Sequence, residues 1–254
     1  MLRILSARLL QGHRTMAYPD AAPALPELFQ GLPVIGSGQC GDACNECAAV
    51  CPTGAIHRNP GGGPALDMGR CLFCGECART CESGGISFSR EHSLASRTRE
   101  GLVVTESTVR EKTLALDAAA RRIFGHSLKL RQVSAGGCNA CEADLNVLGT
   151  LGFDLGRFGI QFVASPRHAD GIVITGPVSE NMVLALKKTH DAVPAPKLVI
   201  AVGACAISGG VYRGHPETRN GATDLLPVDL FIPGCPPHPV TLLDGLLRLL
   251  GRIG

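Results

Sequence analysis

The chain has 254 residues, 45% apolar and 18% charged, with 24 Lys/Arg against 22 Asp/Glu. That length suits one large domain or a small one joined to a medium one. Residues 1–105 carry nine basic and nine acidic side chains and residues 106–254 fifteen and thirteen, so the clustered basic face that nucleic-acid binding needs is missing, and no apolar run approaches the ~20 residues of a membrane-spanning helix.

The first twenty residues, MLRILSARLLQGHRTMAYPD, place Arg3, Arg8 and Arg14 across any apolar run. A secretory signal needs an unbroken apolar stretch and a small-residue cleavage site, and neither is found here. Leu2, Leu5 and Leu9 share one face of a predicted helix. Residues 1–35 therefore read as an amphipathic docking segment, set against its own protein, a neighbouring subunit or a bilayer surface.

Twelve cysteines follow, in three sets of four. Cys40, Cys44, Cys47 and Cys51 form one run; Cys71, Cys74, Cys77 and Cys81 form a second; Cys138, Cys141, Cys205 and Cys235 are dispersed. A disulfide scaffold fits an oxidising compartment that the N-terminus does not suggest. Zinc sites use C-x2-C pairs, but successive two-residue gaps crowd more thiolates into one turn than a tetrahedral ion takes. Four thiolates suit one cubane iron–sulfur cluster, so the count reads as three 4Fe–4S clusters.

The second run is C-x2-C-x2-C-x3-C, the spacing of two-cluster bacterial ferredoxins, in which the fourth cysteine ligates the other cluster. Cys71, Cys74, Cys77 and Cys51 are accordingly assigned to one cluster, and Cys40, Cys44, Cys47 and Cys81 to the other. The first run departs from the pattern by opening with three residues, Gly41-Asp42-Ala43, which requires a bulge. A three-iron cluster at the Cys40 set stays open. Each run ends in a turn and a short apolar strand, at Gly54-Ala55-Ile56 and Gly85-Ile86-Ser87-Phe88, which makes 36–92 an internal repeat with α+β character. Residues 36–41 match the dinucleotide fingerprint G-x-G-x-x-G by coincidence, since a cluster loop follows at once and no strand–helix context is present.

Residues 93–126 read as a linker with a docking helix, predicted over 108–124 and presenting Val109, Leu114, Leu116 and Ile123. From 127 onward short aliphatic strands alternate with helices. Strands are predicted at 128–133, 160–164, 171–175, 198–202 and 230–232, with helices near 180–190 and 240–250. That alternation implies a mostly parallel sheet covered on both faces. Cys138, Cys141, Cys205 and Cys235 each fall in a Gly- or Pro-rich loop after a strand, at the edge where such folds bind ligands. Buried cysteines serving only as small hydrophobes are the alternative.

Two resemblances follow from these motifs. Tyr18-Pro19, Phe29-Gln30-Gly31 and Gly69-Arg-Cys-Leu-Phe-Cys-Gly75 resemble the ferredoxin-type subunit of formate hydrogenlyase and the two-cluster subunit of complex I, over about residues 1–105. Gly-Cys138-Asn-Ala-Cys141-Glu142, Gly-Ala-Cys205-Ala and Pro-Gly-Cys235-Pro-Pro resemble the small subunit of group 4 NiFe hydrogenases and its complex I homologue, over about residues 128–250. The C-x2-C at 138–141, where complex I subunits carry adjacent cysteines, favours the hydrogenase side.

The resemblance implies a flavodoxin-like C-terminal domain (127–254) fused to a two-cluster bacterial ferredoxin domain (36–92). It implies an electron-transfer subunit whose Cys138 set exchanges electrons with a NiFe centre in a separate large subunit, and it marks Glu142 as a candidate proton relay. Expected partners are that large subunit, membrane-arm subunits and an upstream electron carrier or ferredoxin-type subunit, at the cytoplasmic side of the inner membrane. A complex I-related quinone-reducing or ion-pumping relative without nickel, and a stand-alone ferredoxin-type carrier, are the alternatives.

Overall fold

The computed structural model describes residues 2–36, 44–58, 63–106 and 115–254. In chain order the front part comprises α1 (Leu2–Gln11), β1 (Pro33–Ile35), α2 (Glu46–Ala49), β2 (Ile56–Arg58), β3 (Pro64–Asp67), α3 (Glu76–Thr80), β4 (Ile86–Phe88) and β5 (Val103–Val104). β1 pairs antiparallel with β4, and β2–β3–β5 form a second antiparallel sheet. Their apolar faces (Ile35, Ile56, Leu66, Ile86, Leu102) enclose a core that also takes in Cys71 and Cys77. In each cysteine run the third cysteine lies in a short helix and the fourth directly follows it or is one residue beyond: Cys47 in α2 with Cys51 beyond, Cys77 in α3 with Cys81 at its end.

The back part comprises α4 (Ala118–Phe124), β6 (Leu128–Ser134), α5 (Ala140–Val147), β7 (Ile160–Phe162), β8 (Gly171–Thr175), α6 (Glu180–Ala192), β9 (Leu198–Val202), α7 (Gly203–Ser208), β10 (Leu230–Ile232) and α8 (Pro239–Leu249). Its five strands are all parallel in the order β10-β9-β8-β6-β7. Renumbered within the sheet and read from the β7 edge, that order is 2-1-3-4-5, consistent with a flavodoxin-like α/β fold. Every residue of β8, β9 and β10 is buried, which explains their unbroken aliphatic sequences: such strands are covered on both faces.

Two expectations for residues 93–126 change. The helix predicted over 108–124 is observed from Ala118, because the Asp117 carboxylate accepts the Ala120 N–H at 2.8 Å and caps it there. Leu116 is buried but Ile123 is 55% exposed, so the expected apolar face is only partly used; Val109 and Leu114 lie outside the described residues. Residues 93–126 also do more than connect. β5 supplies the third strand of a front sheet, and Ser96 pairs with Phe231 of β10.

α8 joins the two parts. All of its residues are buried, and each fully buried Leu contributes roughly 1.5–3 kcal/mol before entropy is counted. The buried charge pair within it, Arg248 Nε to Asp244 Oδ2 at 3.0 Å, is satisfied from outside the helix. Asp244 accepts the Tyr18 hydroxyl at 2.6 Å, and Arg248 donates to the Ser93 hydroxyl at 3.3 Å. Burial, then the bond to Asp244, pushes the Tyr18 phenol well above its ordinary pKa.

Candidate metal centres

The dispersed cysteines meet at the carboxyl edge of the parallel sheet. Cys138 and Cys235 lie in the segments after β6 and β10, as expected, whereas Cys141 and Cys205 are not in loops but in the first turns of α5 and α7, because a helix begins directly after each of those post-strand turns. Burial pushes the Cys141 thiol up in pKa, with Glu142 and then Cys205, Cys235 and Cys138 adding to it. Burial and then Cys138 do the same to Cys235. Cys205 reaches about 11, from burial first and Cys235 and Cys138 next. Four thiols separated by up to a hundred residues thus share one electrostatic neighbourhood.

Glycine makes this convergence feasible. A Cβ on Gly203 (φ +86°) would stand 2.6 Å from Cys141 Sγ, and one on Gly210 (φ +55°) would stand 2.8 Å from Cys205 Sγ. Both positions need left-handed backbone and free space behind a sulfur, which only glycine supplies. Gly176 after β8 meets Gly137 after β6 backbone to backbone, with only 2.4 Å from a Cβ there to the Gly137 nitrogen.

Glu142 sits in the first turn of α5 and is 4% exposed. Its Oε1 accepts the hydroxyls of Ser134, from β6, and Thr175, from β8, each at 2.6 Å. Burial alone would raise its pKa, but these two donors hold it below the ordinary carboxylate value. The carboxylate therefore ties α5 to the ends of two strands beside Cys141. Asp144, two positions on, is pushed up by burial.

In the front part the structure brings Cys51 together with Cys71, Cys74 and Cys77, which line one small cavity. The Cys71 thiol is pushed up to about 12, by burial first, against the Phe73 N–H donated to its sulfur at 3.2 Å. Cys77 is pushed up to about 11, again by burial first, with Cys51, Cys74 and Cys47 adding to it. Cys81 lines a different cavity, of about 160 Å3, with Cys44 and Cys47. The Ser83 hydroxyl lowers its pKa. Cys40 and the expected bulge at Gly41 lie outside the described residues. Among the described residues no three His, Cys, Asp or Glu side chains are close enough to hold a single metal ion.

The front and back sets are joined by contacts that cysteine spacing could not reveal. Ser208, at the end of α7, donates its hydroxyl to the Gly69 carbonyl at 2.8 Å, two residues before Cys71, and lies 3.1 Å from the Ala204 carbonyl, one residue before Cys205. A Cβ on Gly69 would meet Ile207 and Arg99 at 2.8 Å. Arg99 in turn forms a bidentate pair with Asp67 at 2.7 and 2.5 Å. Further out, a crevice of about 580 Å3 runs between Leu72–Phe73 and the segment carrying Cys235. Thr175, the one hydroxyl in the fully buried aliphatic strand β8, is the available signal for the Glu142 site. Nothing in the sequence marks Ser208.

A family model described as "NADH ubiquinone oxidoreductase, 20 Kd subunit" matches residues 138–249, a segment that contains all four dispersed cysteines. The "Probable membrane-bound hydrogenase subunit mbhJ" of Pyrococcus furiosus is 35% identical over 150 residues, covering 59% of this chain and 90% of that protein. A subunit of the NADH-quinone oxidoreductase of Geotalea uraniireducens is 46% identical over 118 residues, covering 46% of this chain and 69% of that protein. Among solved structures, a chain of the membrane-bound sulfane sulfur reductase, an archaeal respiratory membrane complex, is similar at 31% identity and a TM-score of 0.47, covering 54% of this chain and 75% of that one. Nine-tenths of a hydrogenase subunit is matched at this identity, and the chain belongs to the family of oxidoreductase subunits typified by the 20 kDa subunit of NADH ubiquinone oxidoreductase.

Proposed function

We propose that this chain is the electron-transfer subunit of a formate hydrogenlyase-like, group 4 NiFe hydrogenase complex. In this reading residues 1–35 dock the chain, 36–92 form a two-cluster ferredoxin domain, 93–126 link and dock, and 127–254 hold the cluster nearest a separate large subunit. Cys138, Cys141, Cys205 and Cys235 would hold that 4Fe–4S cluster. Cys71, Cys74, Cys77 and Cys51 would hold a second, and Cys40, Cys44, Cys47 and Cys81 a third. Bound there, the clusters would accept and release single electrons in relay.

The observation that carries the reading is the meeting of the four dispersed thiols over glycine backs at the sheet edge. As free thiols Cys141, Cys205 and Cys235 are poor nucleophiles, because burial raises their pKa and suppresses the thiolate. As ligands the thiols would release their protons on binding the metal. The glycines at 203 and 210 leave the space behind the sulfurs that an inorganic group requires. Glu142 fixes the helix bearing Cys141 and is retained as a proton-relay candidate, with the large subunit and an electron carrier as partners at the cytoplasmic face of the membrane. Among the described residues no helix is long and apolar enough to cross a membrane.

Iron and acid-labile sulfide analysis of the anaerobically purified chain should give about twelve of each; a value near eight removes one cluster from the scheme. Cys205→Ala is expected to block electron flow to the large subunit while the front clusters stay reducible, and an EPR spectrum retaining every signal would contradict the assignment. The second reading, a nickel-free relative of complex I, is favoured by the 46% identity to the NADH-quinone oxidoreductase subunit. Nickel in the purified complex decides between them.

A further inference from the structure

The helix α1 (Leu2–Gln11) has no buried side chain from Arg3 to Gln11. Ile4, Leu5, Leu9 and Leu10 are 73, 60, 84 and 87% exposed. Isolated helices shorter than about 12–15 residues are marginal in water, and large aliphatic side chains held in solvent make the case worse. The helix therefore needs a surface, and the described residues of this chain do not provide it.

Charge and angular arrangement indicate which surface. Residues 2–14 include Arg3, Arg8 and Arg14 and no acidic residue. At about 100° per residue, Leu5 and Leu9 share a face, while Ile4 and Leu10 lie roughly 100° away on opposite sides. Arg8 falls between Leu5 and Ile4, and Arg3 falls beside Leu10. A protein groove over the Leu5–Leu9 face would need acidic partners for the arginines, whereas an anionic phospholipid surface takes that face while the guanidiniums reach back to the phosphates. The apolar surface also continues beyond the helix. The Thr15 hydroxyl donates to the Leu151 carbonyl at 3.1 Å, and the Met16 N–H donates to the Gly152 carbonyl at 2.9 Å. Leu151 itself is 71% exposed.

We propose that α1, with Leu151 beside its root, is an interfacial anchor lying in the surface of an anionic phospholipid bilayer. The proposal is independent of the electron-transfer reading, because its test reads lipid binding and not redox activity.

The full-length, metal-loaded chain is mixed with vesicles of phosphatidylcholine alone or of phosphatidylcholine with phosphatidylglycerol. The chain contains no Trp, so Leu9→Trp introduces a sole indole whose emission reports insertion. Co-sedimentation and a blue shift are expected only with the anionic vesicles, weakened by added salt. Arg3→Gln and Arg14→Gln should each reduce partitioning about fivefold. Leu5→Glu with Leu9→Glu should abolish binding while circular dichroism and iron content, which check the fold, stay unchanged. No binding to anionic vesicles, equal binding to both compositions, or indifference to the arginine changes would each overturn the proposal. So would a dimer in sedimentation velocity that the double Glu variant dissolves, since a second copy would then be the occupant.

Discussion

The two cysteine-bearing regions solve one geometric problem in opposite ways. In the front part thiols come from tight local runs, and two short helices, α2 and α3, turn the chain so that each fourth cysteine leaves its own run. In the back part thiols come from three post-strand segments up to a hundred residues apart, and a five-stranded parallel sheet brings them to one edge. The front arrangement is therefore written in spacing, whereas the back one depends on every strand being in register. A local run can carry an extra residue, as the sequence does after Cys40; a sheet edge depends on its glycines.

Gly203→Ala tests that contrast most severely. The added Cβ meets Cys141 Sγ at 2.6 Å, in left-handed backbone that costs a non-Gly residue roughly 1–2 kcal/mol. Loss of about a third of the iron is expected, with the front EPR signals unchanged; full iron content would show that the back set does not need the space behind its sulfur.

Cys51→Ala sharpens the front half of the comparison. Because Cys51 lies with Cys71, Cys74 and Cys77, under the proposed assignment it should remove the cluster proposed for the second run, while Cys81→Ala should remove the one proposed for the first. If each variant instead lost its own run's signal in EPR, the exchange of fourth cysteines would fail.

The smallest effect is expected where the two regions touch. Ser208→Ala removes the hydroxyl bonded to the Gly69 carbonyl and leaves a buried acceptor unpaired, at a cost of about 1–3 kcal/mol. Chemical denaturation should register that loss with all clusters retained, and an unchanged midpoint would mean that the contact is not a weld between the regions.

Much of the back part is legible in the sequence. Three of the strands, at 171–175, 198–202 and 230–232, are observed with the predicted bounds, because fully buried parallel strands are uninterrupted aliphatic runs. The helix expected over 108–124 is a harder case: amphipathic spacing extends the pattern upstream, whereas the short carboxylate of Asp117 sets the start. Glu142 is legible only as a carboxylate beside a cysteine; its two hydroxyl donors come from strands eight and thirty-three residues away.

The sequence by itself determined the two local cysteine runs of the front part, the alternation of strands and helices behind it, and the basic, leucine-rich N-terminal helix, because each rests on spacing along one short segment. Only the tertiary structure decided which glycines stand behind sulfurs, that Ser208 fastens the Cys71 turn to the Cys205 helix, and that the described residues leave α1 uncovered. Those facts depend on contacts between residues far apart in sequence, and no local pattern encodes the distance between them.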